Sequence, residues 1–162
     1  MKFLTDGMLG KLSRWLRLAG CDVIYVGDLG IPAENQDTFL IEKAKTEHRV
    51  LLTGDIILYR RATTKGIKVV FVGGRDVVKQ LVEVSKRCGK RIWIDPKNSR
   101  CPVCNGVLIS TPKSEIKSKV PATVFTKQDK FWLCTQCGKI YWQGKHWESI
   151  LKMATEYERE ID

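Results

Sequence analysis

The sequence predicts an α/β fold: a parallel sheet covered by helices on both faces, followed by a small metal-organised ribbon and a terminal helix. Two observations predict it. Over roughly the first ninety residues, short apolar runs alternate with segments of helical periodicity. Beyond residue 99 this pattern gives way to short strand and turn signals around two Cys-x-x-Cys pairs.

Residues 2–5 are short and half apolar and read as the first strand. Residues 8–19 set Met8, Leu9, Leu12, Trp15, Leu16 and Ala19 on one stripe, with Lys11, Arg14 and Arg17 mostly on the other side, which predicts an amphipathic helix. Gly20 is placed to end it. Residues 22–26 are β-branched and aromatic, a second strand, and residues 28–32 are loop chemistry. A second helix is expected over 37–47 with Phe39, Leu40 and Ala44 inward, then a buried strand over 49–53, a short helix over 55–62 and a strand over 68–72. Gly73 and Gly74 turn into a helix over 76–87 with Val77, Leu81 and Val84 inward. Strands separated by helices imply a parallel sheet covered on both faces. Asp95-Pro96-Lys97-Asn98-Ser99 reads as a linker, dividing the chain into domains 1–95 and 96–162. The last helix is expected over 146–160, with Ile150, Leu151, Ala154 and Tyr157 as its apolar side.

Composition narrows the function classes. An apolar fraction of 43% excludes wholesale disorder. No apolar run reaches the ~18–20 residues of a membrane span, and Asp6 interrupts what a secretory leader would keep apolar. A cytoplasmic, reducing setting with no membrane partner is the expectation. The 162 residues carry 28 Lys and Arg against 18 Asp and Glu, a net charge of +10. The excess is uneven: 18 against 11 over residues 1–98, 8 against 2 over 99–147, and 2 against 5 over 148–162. A basic surface favours a polyanion, nucleic acid first, although a solvated lysine face would look the same.

Cys101/Cys104 and Cys134/Cys137 form two knuckles, each followed closely by glycine. In a reducing compartment paired Cys-x-x-Cys reads as metal before disulfide. Four sulfurs complete a closed tetrahedral site suited to a structural zinc ion. The 29 residues between them, 105–133, are enough for a pair of strands. His146 lies near the second knuckle but is not needed as a ligand. Trp132, Tyr141, Trp142 and Trp147 crowd the ribbon, either as packing around the metal or as surfaces on which bases stack.

Acidic residues follow successive strands. Asp6 follows the first and Asp55 the third, and the C-terminal ends of neighbouring strands converge on one crevice. Asp37 opens the expected second helix, as a metal ligand or as an N-cap. Asp76, after the fourth strand, reads equally as a fourth ligand or a cap. Converging carboxylates call for a cation, and Mg²⁺ or Mn²⁺ fits. Thr53 is placed to hold a carboxylate or a phosphate. Lys11, Arg14, Arg60, Arg61 and Arg75 lie near the same edge in sequence and are suited to a phosphate backbone.

The residues Phe3-Leu4-Thr5-Asp6-Gly7-Met8-Leu9-Gly10-Lys11-Leu12, Arg14-Trp15-Leu16-Arg17, Leu51-Leu52-Thr53-Gly54-Asp55, Arg100-Cys101-Pro102-Val103-Cys104-Asn105-Gly106 and Cys137-Gly138-Lys139-Ile140-Tyr141-Trp142-Gln143-Gly144 together resemble the mutator-seven C-terminal RNase domain family. The likeness runs from about residue 1 to 150. It implies a PIN-like nuclease domain with an attached zinc ribbon, RNA as substrate, and a metal-dependent site at Asp6, Asp37 and Asp55, with Asp76 the nearest match to a fourth acid. Gly54 stands where the family usually carries an arginine. PIN-like domains often pair through helices, so the resemblance allows a homodimer. Two rival readings are a non-catalytic RNA- or ribosome-binding module and a carboxylate-metal phosphatase acting on a small ester. The charge argues against the second.

Overall fold

The computed structural model describes residues 1–95 and 97–162; Pro96, part of the expected linker, lies outside the described residues. Strands β1 (Lys2–Thr5), β2 (Asp22–Tyr25), β3 (Val50–Thr53) and β4 (Val69–Phe71) form one parallel sheet in the order β2-β1-β3-β4. The helices are α1 (Gly10–Leu18), entered through a 3₁₀ turn at Gly7–Leu9, α2 (Ala33–Glu47), α3 (Ile56–Thr64) and α4 (Val77–Cys88).

Strand alternation explains the three layers. Phe3 and Leu52 pack with α1 and α4 on one face, while Leu4 and Leu51 pack with α2 and α3 on the other. All four side chains are fully buried. Each contributes about 1.5–3 kcal/mol of hydrophobic stabilisation. The chain steps from β1 to β2 in one direction, then from β2 over β1 to β3 and β4 in the other. Right-handed crossovers therefore send α1 to one face and α2 and α3 to the opposite one. The strand order reverses between β1 and β3, which opens a crevice at their C-terminal ends.

The N-terminal ends of the strands are tied by Arg49, which is 8% exposed. Its guanidinium donates to the carbonyls of Phe3 and Asp22 and to the carboxylates of Asp22 (3.0 Å) and Glu47 (2.6 Å). This cross-link fixes the register opposite the crevice.

Two expectations are corrected here. Helix α2 begins at Ala33, not at Asp37. Pro32 supplies a ready φ of −53°, and the polar first turn Ala33-Glu34-Asn35-Gln36 carries no apolar periodicity to betray it. Asp37 thus sits inside the helix and does not cap it. Arg17, expected on the outer side of α1, is only 3% exposed.

The rest of the chain forms an antiparallel sheet, β5 (Leu108–Thr111), β6 (Phe131–Cys134) and β7 (Ile140–Trp142), in that order. A 3₁₀ turn at Lys113–Glu115 and helix α5 (Ala122–Lys127) fill the interval between β5 and β6, where the sequence signals short strands and turns and no helix. The final helix α6 (Lys145–Ile161) packs on α4. Its inward stripe is Met153, Tyr157 and Ile161, at four-residue spacing. Leu151, expected inward, is 48% exposed because it lies off that stripe. The buried Tyr157 hydroxyl pairs with Ser85 Oγ (2.8 Å) and accepts from the Ile92 N–H (3.0 Å). Residues flanking Pro96 are stitched to the end of α1: Ser99 Oγ donates to Leu18 O (2.6 Å) and the Arg100 N–H to Arg17 O (2.8 Å). Gly20 (φ +77°) is obligatory there, since a Cβ would stand 2.6 Å from Asn98 O. Among the described residues, no helix is long and apolar enough to cross a membrane.

Tyr157→Phe removes both hydroxyl bonds and leaves the buried Ile92 N–H without a partner. Urea unfolding should report a loss of about 1–3 kcal/mol. Asp22 makes a pH prediction. Burial pushes its carboxyl up, but hydrogen bonds from Arg49 and Asn105 outweigh this and hold it below the ordinary carboxylate range. The stability it contributes is therefore present above about pH 4, the unfolded value, and is lost as pH falls through the folded value. Wild type should exceed Asp22→Asn in urea midpoint at pH 7, and the gap should close towards pH 3.

Candidate functional site

The crevice at the switch point is built on Asp6. Strand β1 ends at Thr5, and Asp6, extended at φ −72° and ψ 175°, caps the 3₁₀ turn by accepting from the Met8 N–H (2.9 Å) through Oδ1. Its Oδ2 accepts from Thr53 Oγ1 (2.5 Å) and from the Gly54 N–H (2.9 Å). Asp6 is 5% exposed and Thr53 is fully buried. The Thr53 hydroxyl also accepts from the Asp55 N–H (2.9 Å), so one hydroxyl positions both acids. Of its two expected uses, Thr53 takes the carboxylate: it has no exposed surface to offer a phosphate. Asp55 caps α3, accepting from Ile57 and Leu58 N–H, both at Oδ1. The Gly54 N–H does this work from the backbone, and a side chain there would make ordinary contact with Met8.

The remaining acids stand apart. Asp37 Oδ2 is bound by Arg61 at 2.7 Å. Asp76 caps α4 through the Lys79 N–H and is exposed. The Lys79 backbone bond and ammonium hold its carboxyl below the usual range. Among the described residues, no three carboxylates bring oxygens within 4.8 Å of one another. Lys11 and Arg14 on α1, Arg60 on α3 and Arg75 after β4 are all exposed. Composition did not single out the apolar residues beside the acids: Met8 is 70% and Ile57 64% exposed.

The cysteine quartet is compact. All four Sγ atoms lie within 4.8 Å of one another, with Cys101–Cys137 at 3.7 Å and Cys104–Cys134 at 3.4 Å. A disulfide would need ~2.05 Å. Sulfurs held tetrahedrally by zinc at ~2.3 Å stand about 3.8 Å apart, so the donor set fits zinc. Glycine is required beside it: a Cβ on Gly106 would come 2.7 Å from Cys134 Sγ, and Gly138 has φ +71°. Burial opposes ionisation at Cys134, yet the N–H groups of Cys137 and Gln136 and the neighbouring thiols bring it down to about 7. Burial, with the adjacent thiols, pushes Cys104 up to about 12. One thiolate suppresses the next, and a cation lets all four ionise. The Tyr141 hydroxyl lies 3.0 Å from Cys101 Sγ as an outer partner.

The lone cysteines offer no second centre. Burial pushes the thiols of Cys21 and Cys88 up, away from reactivity.

The first knuckle is docked on the parallel sheet. Asn105, at φ +69°, accepts from the Val23 N–H (3.0 Å) and donates to Asp22 Oδ1 (2.8 Å). Arg17 donates to the carbonyls of Pro102 and Val103, both at 3.1 Å. The purified protein should carry one zinc ion per chain in native mass spectrometry. Cys104→Ser should lose it and lower Tm by roughly 10 °C or more.

No protein of curated function and no solved structure matches the chain. A family model does: residues 1–154 of the 162 match the Mut7-C RNAse domain, and the chain belongs to that family.

Proposed function

We propose that the chain is a metal-dependent ribonuclease, with residues 1–95 as the nuclease domain and 96–162 as an RNA-holding accessory unit. Asp6 carries the reading. It is a buried carboxylate at the switch point of an open parallel sheet, and among the described residues no lysine or arginine pairs with it. A buried carboxylate facing a ligand crevice calls for a cation. Family membership supports RNA as the substrate.

Asp6 and Asp55 are hard oxygen donors joined through Thr53, a set that fits Mg²⁺ or Mn²⁺. Such ions use one or two carboxylates and keep places for water and phosphate. The ion, when bound, supplies an activated water and neutralises charge on the phosphodiester. The chain does the rest. Thr53 holds both carboxylates in place. Lys11, Arg14, Arg60 and Arg75 hold the backbone as charges that read no sequence. Arg61, drawn to an incoming phosphate, would release Asp37 to the same centre. Asp76 stays at the rim. A reducing, cytoplasmic setting keeps the four thiols available to zinc.

The Asp37–Arg61 pair and the dispersed acids favour a second reading, RNA binding without cleavage. Cleavage of mixed structured and single-stranded RNAs decides between them. With added Mn²⁺ or Mg²⁺ the wild type should cut, Asp6→Asn should fall by ~100-fold or more, and Thr53→Val by roughly 10–100-fold. Salt-sensitive binding with no cutting under any of these metals would leave the binding module.

A further inference from the structure

A second candidate site is separate from the acids: Asp6, Asp37, Asp55 and Asp76 are not among its lining residues. Between the ribbon sheet, the end of α1 and the first turns of α6 lies a cleft of about 380 Å³, within the range of small-ligand pockets. Its walls are Trp132, Tyr141, Trp142, Trp147, Leu108 and Ile150. Lys145 and His146 line it too, and both are exposed. The four aromatic side chains are only half-buried, so they do not close over one another as a core would. Two are fixed from outside the cleft: Trp142 packs at a tilt against Phe131 (6.5 Å between ring centres), and the Tyr141 hydroxyl is held at Cys101 Sγ. The rings are thus oriented in advance. A second hollow shares Ile140 and Trp142 with the cleft and is lined by Lys119 and Lys139. An aromatic slot running into a lysine-lined hollow, on a segment with 8 basic against 2 acidic residues, pairs a stacking surface with charges for a phosphate.

We propose that this cleft takes an unstacked base of single-stranded RNA, with the adjoining phosphates over Lys119 and Lys139. Every base offers a π-face, so the contact tolerates any sequence, while a base locked in a duplex cannot enter. The cleft would hold a strand whose other end reaches the acids. The proposal rests on the reading that the chain binds RNA, but not on its cutting it.

The test is tryptophan-fluorescence titration of the full chain without added divalent metal. The probes are a ten-nucleotide uridine RNA, a duplex RNA and inorganic polyphosphate. Trp147→Ala should bind the uridine strand about tenfold more weakly, and Trp147→Phe should recover most of that. Duplex and polyphosphate affinities should move by less than about twofold. Lys139→Ala should weaken all three probes and lower the salt slope by about one. Trp132→Ala, with zinc content measured alongside, guards against a folding defect at residue 147. Wild-type affinity for the uridine strand in both Trp147→Ala and Trp132→Ala, with zinc retained, overturns the cleft and leaves the RNA reading standing. A wild type that binds no RNA overturns both.

Discussion

The five N–H donors of Arg17 hold the two halves of the molecule together. The guanidinium is nearly inaccessible to water, so each donor needs a protein acceptor. Nε and one terminal nitrogen reach Val23 O (3.1 and 3.0 Å), and the same terminal nitrogen reaches Asp28 (2.9 Å). The other terminal nitrogen spans Pro102 O and Val103 O. All five are used. One side chain thereby joins α1, the edge strand β2, the loop after it and the first cysteine knuckle. Asn105 adds a second tie to the same strand. Strand β2 would otherwise present an open edge, a template for unwanted pairing, and the knuckle covers it. The ribbon is built onto the sheet, and does not hang from it by a tether.

The sheet is then pinned at both ends by opposite charges. Arg49 gathers carbonyls and carboxylates at the N-terminal ends of the strands, and Asp6 gathers a hydroxyl and two N–H groups at the C-terminal ends. Their electrostatic situations differ. Arg49 has two carboxylate partners, Asp22 and Glu47. Asp6 has dipoles only. Stability alone would be served as well by a neutral side chain that bonded Thr53. Asp6 stands at the place where ligands enter open α/β sheets, which is the observation on which the proposed chemistry rests.

Much of this was legible in the sequence. The alternation of strand and helix, each Cys-x-x-Cys knuckle, and the positions of Asp6 and Asp55 after their strands are all set by neighbours within a few residues. The departures have separate causes, and for Arg17 the cause is that its partners are remote. Arg17 reads locally as a polar position on an amphipathic helix, and its burial is dictated by carbonyls 85 and 86 residues away. The polar first turn of α2 carries no apolar stripe, so periodicity marks the helix start one turn late, at Asp37. Periodicity gives a stripe's angle only to within a residue and so puts Leu151 inward, whereas contact with α4 selects Met153 and Tyr157. Helix α5 is too short and polar to leave a periodic signal.

The same wiring bears on how the two centres influence each other. The ribbon buries few large side chains, Phe131 and Ile116 among them, so little but the metal would hold its knuckles. Were zinc lost, the Pro102 and Val103 carbonyls would leave Arg17, and a buried cation would be left with unpaired donors. That cost falls on α1. Helix α1 follows the turn that Asp6 caps, and its Ser13 hydroxyl bonds Thr5, the residue before Asp6 (2.7 Å). The four-cysteine site is therefore wired, through Arg17 and α1, to the strand end that carries the buried carboxylate. A zinc ion held there would bear on the acids through packing and hydrogen bonds, from the Pro102 and Val103 carbonyls through Arg17 and α1 to the turn that Asp6 caps.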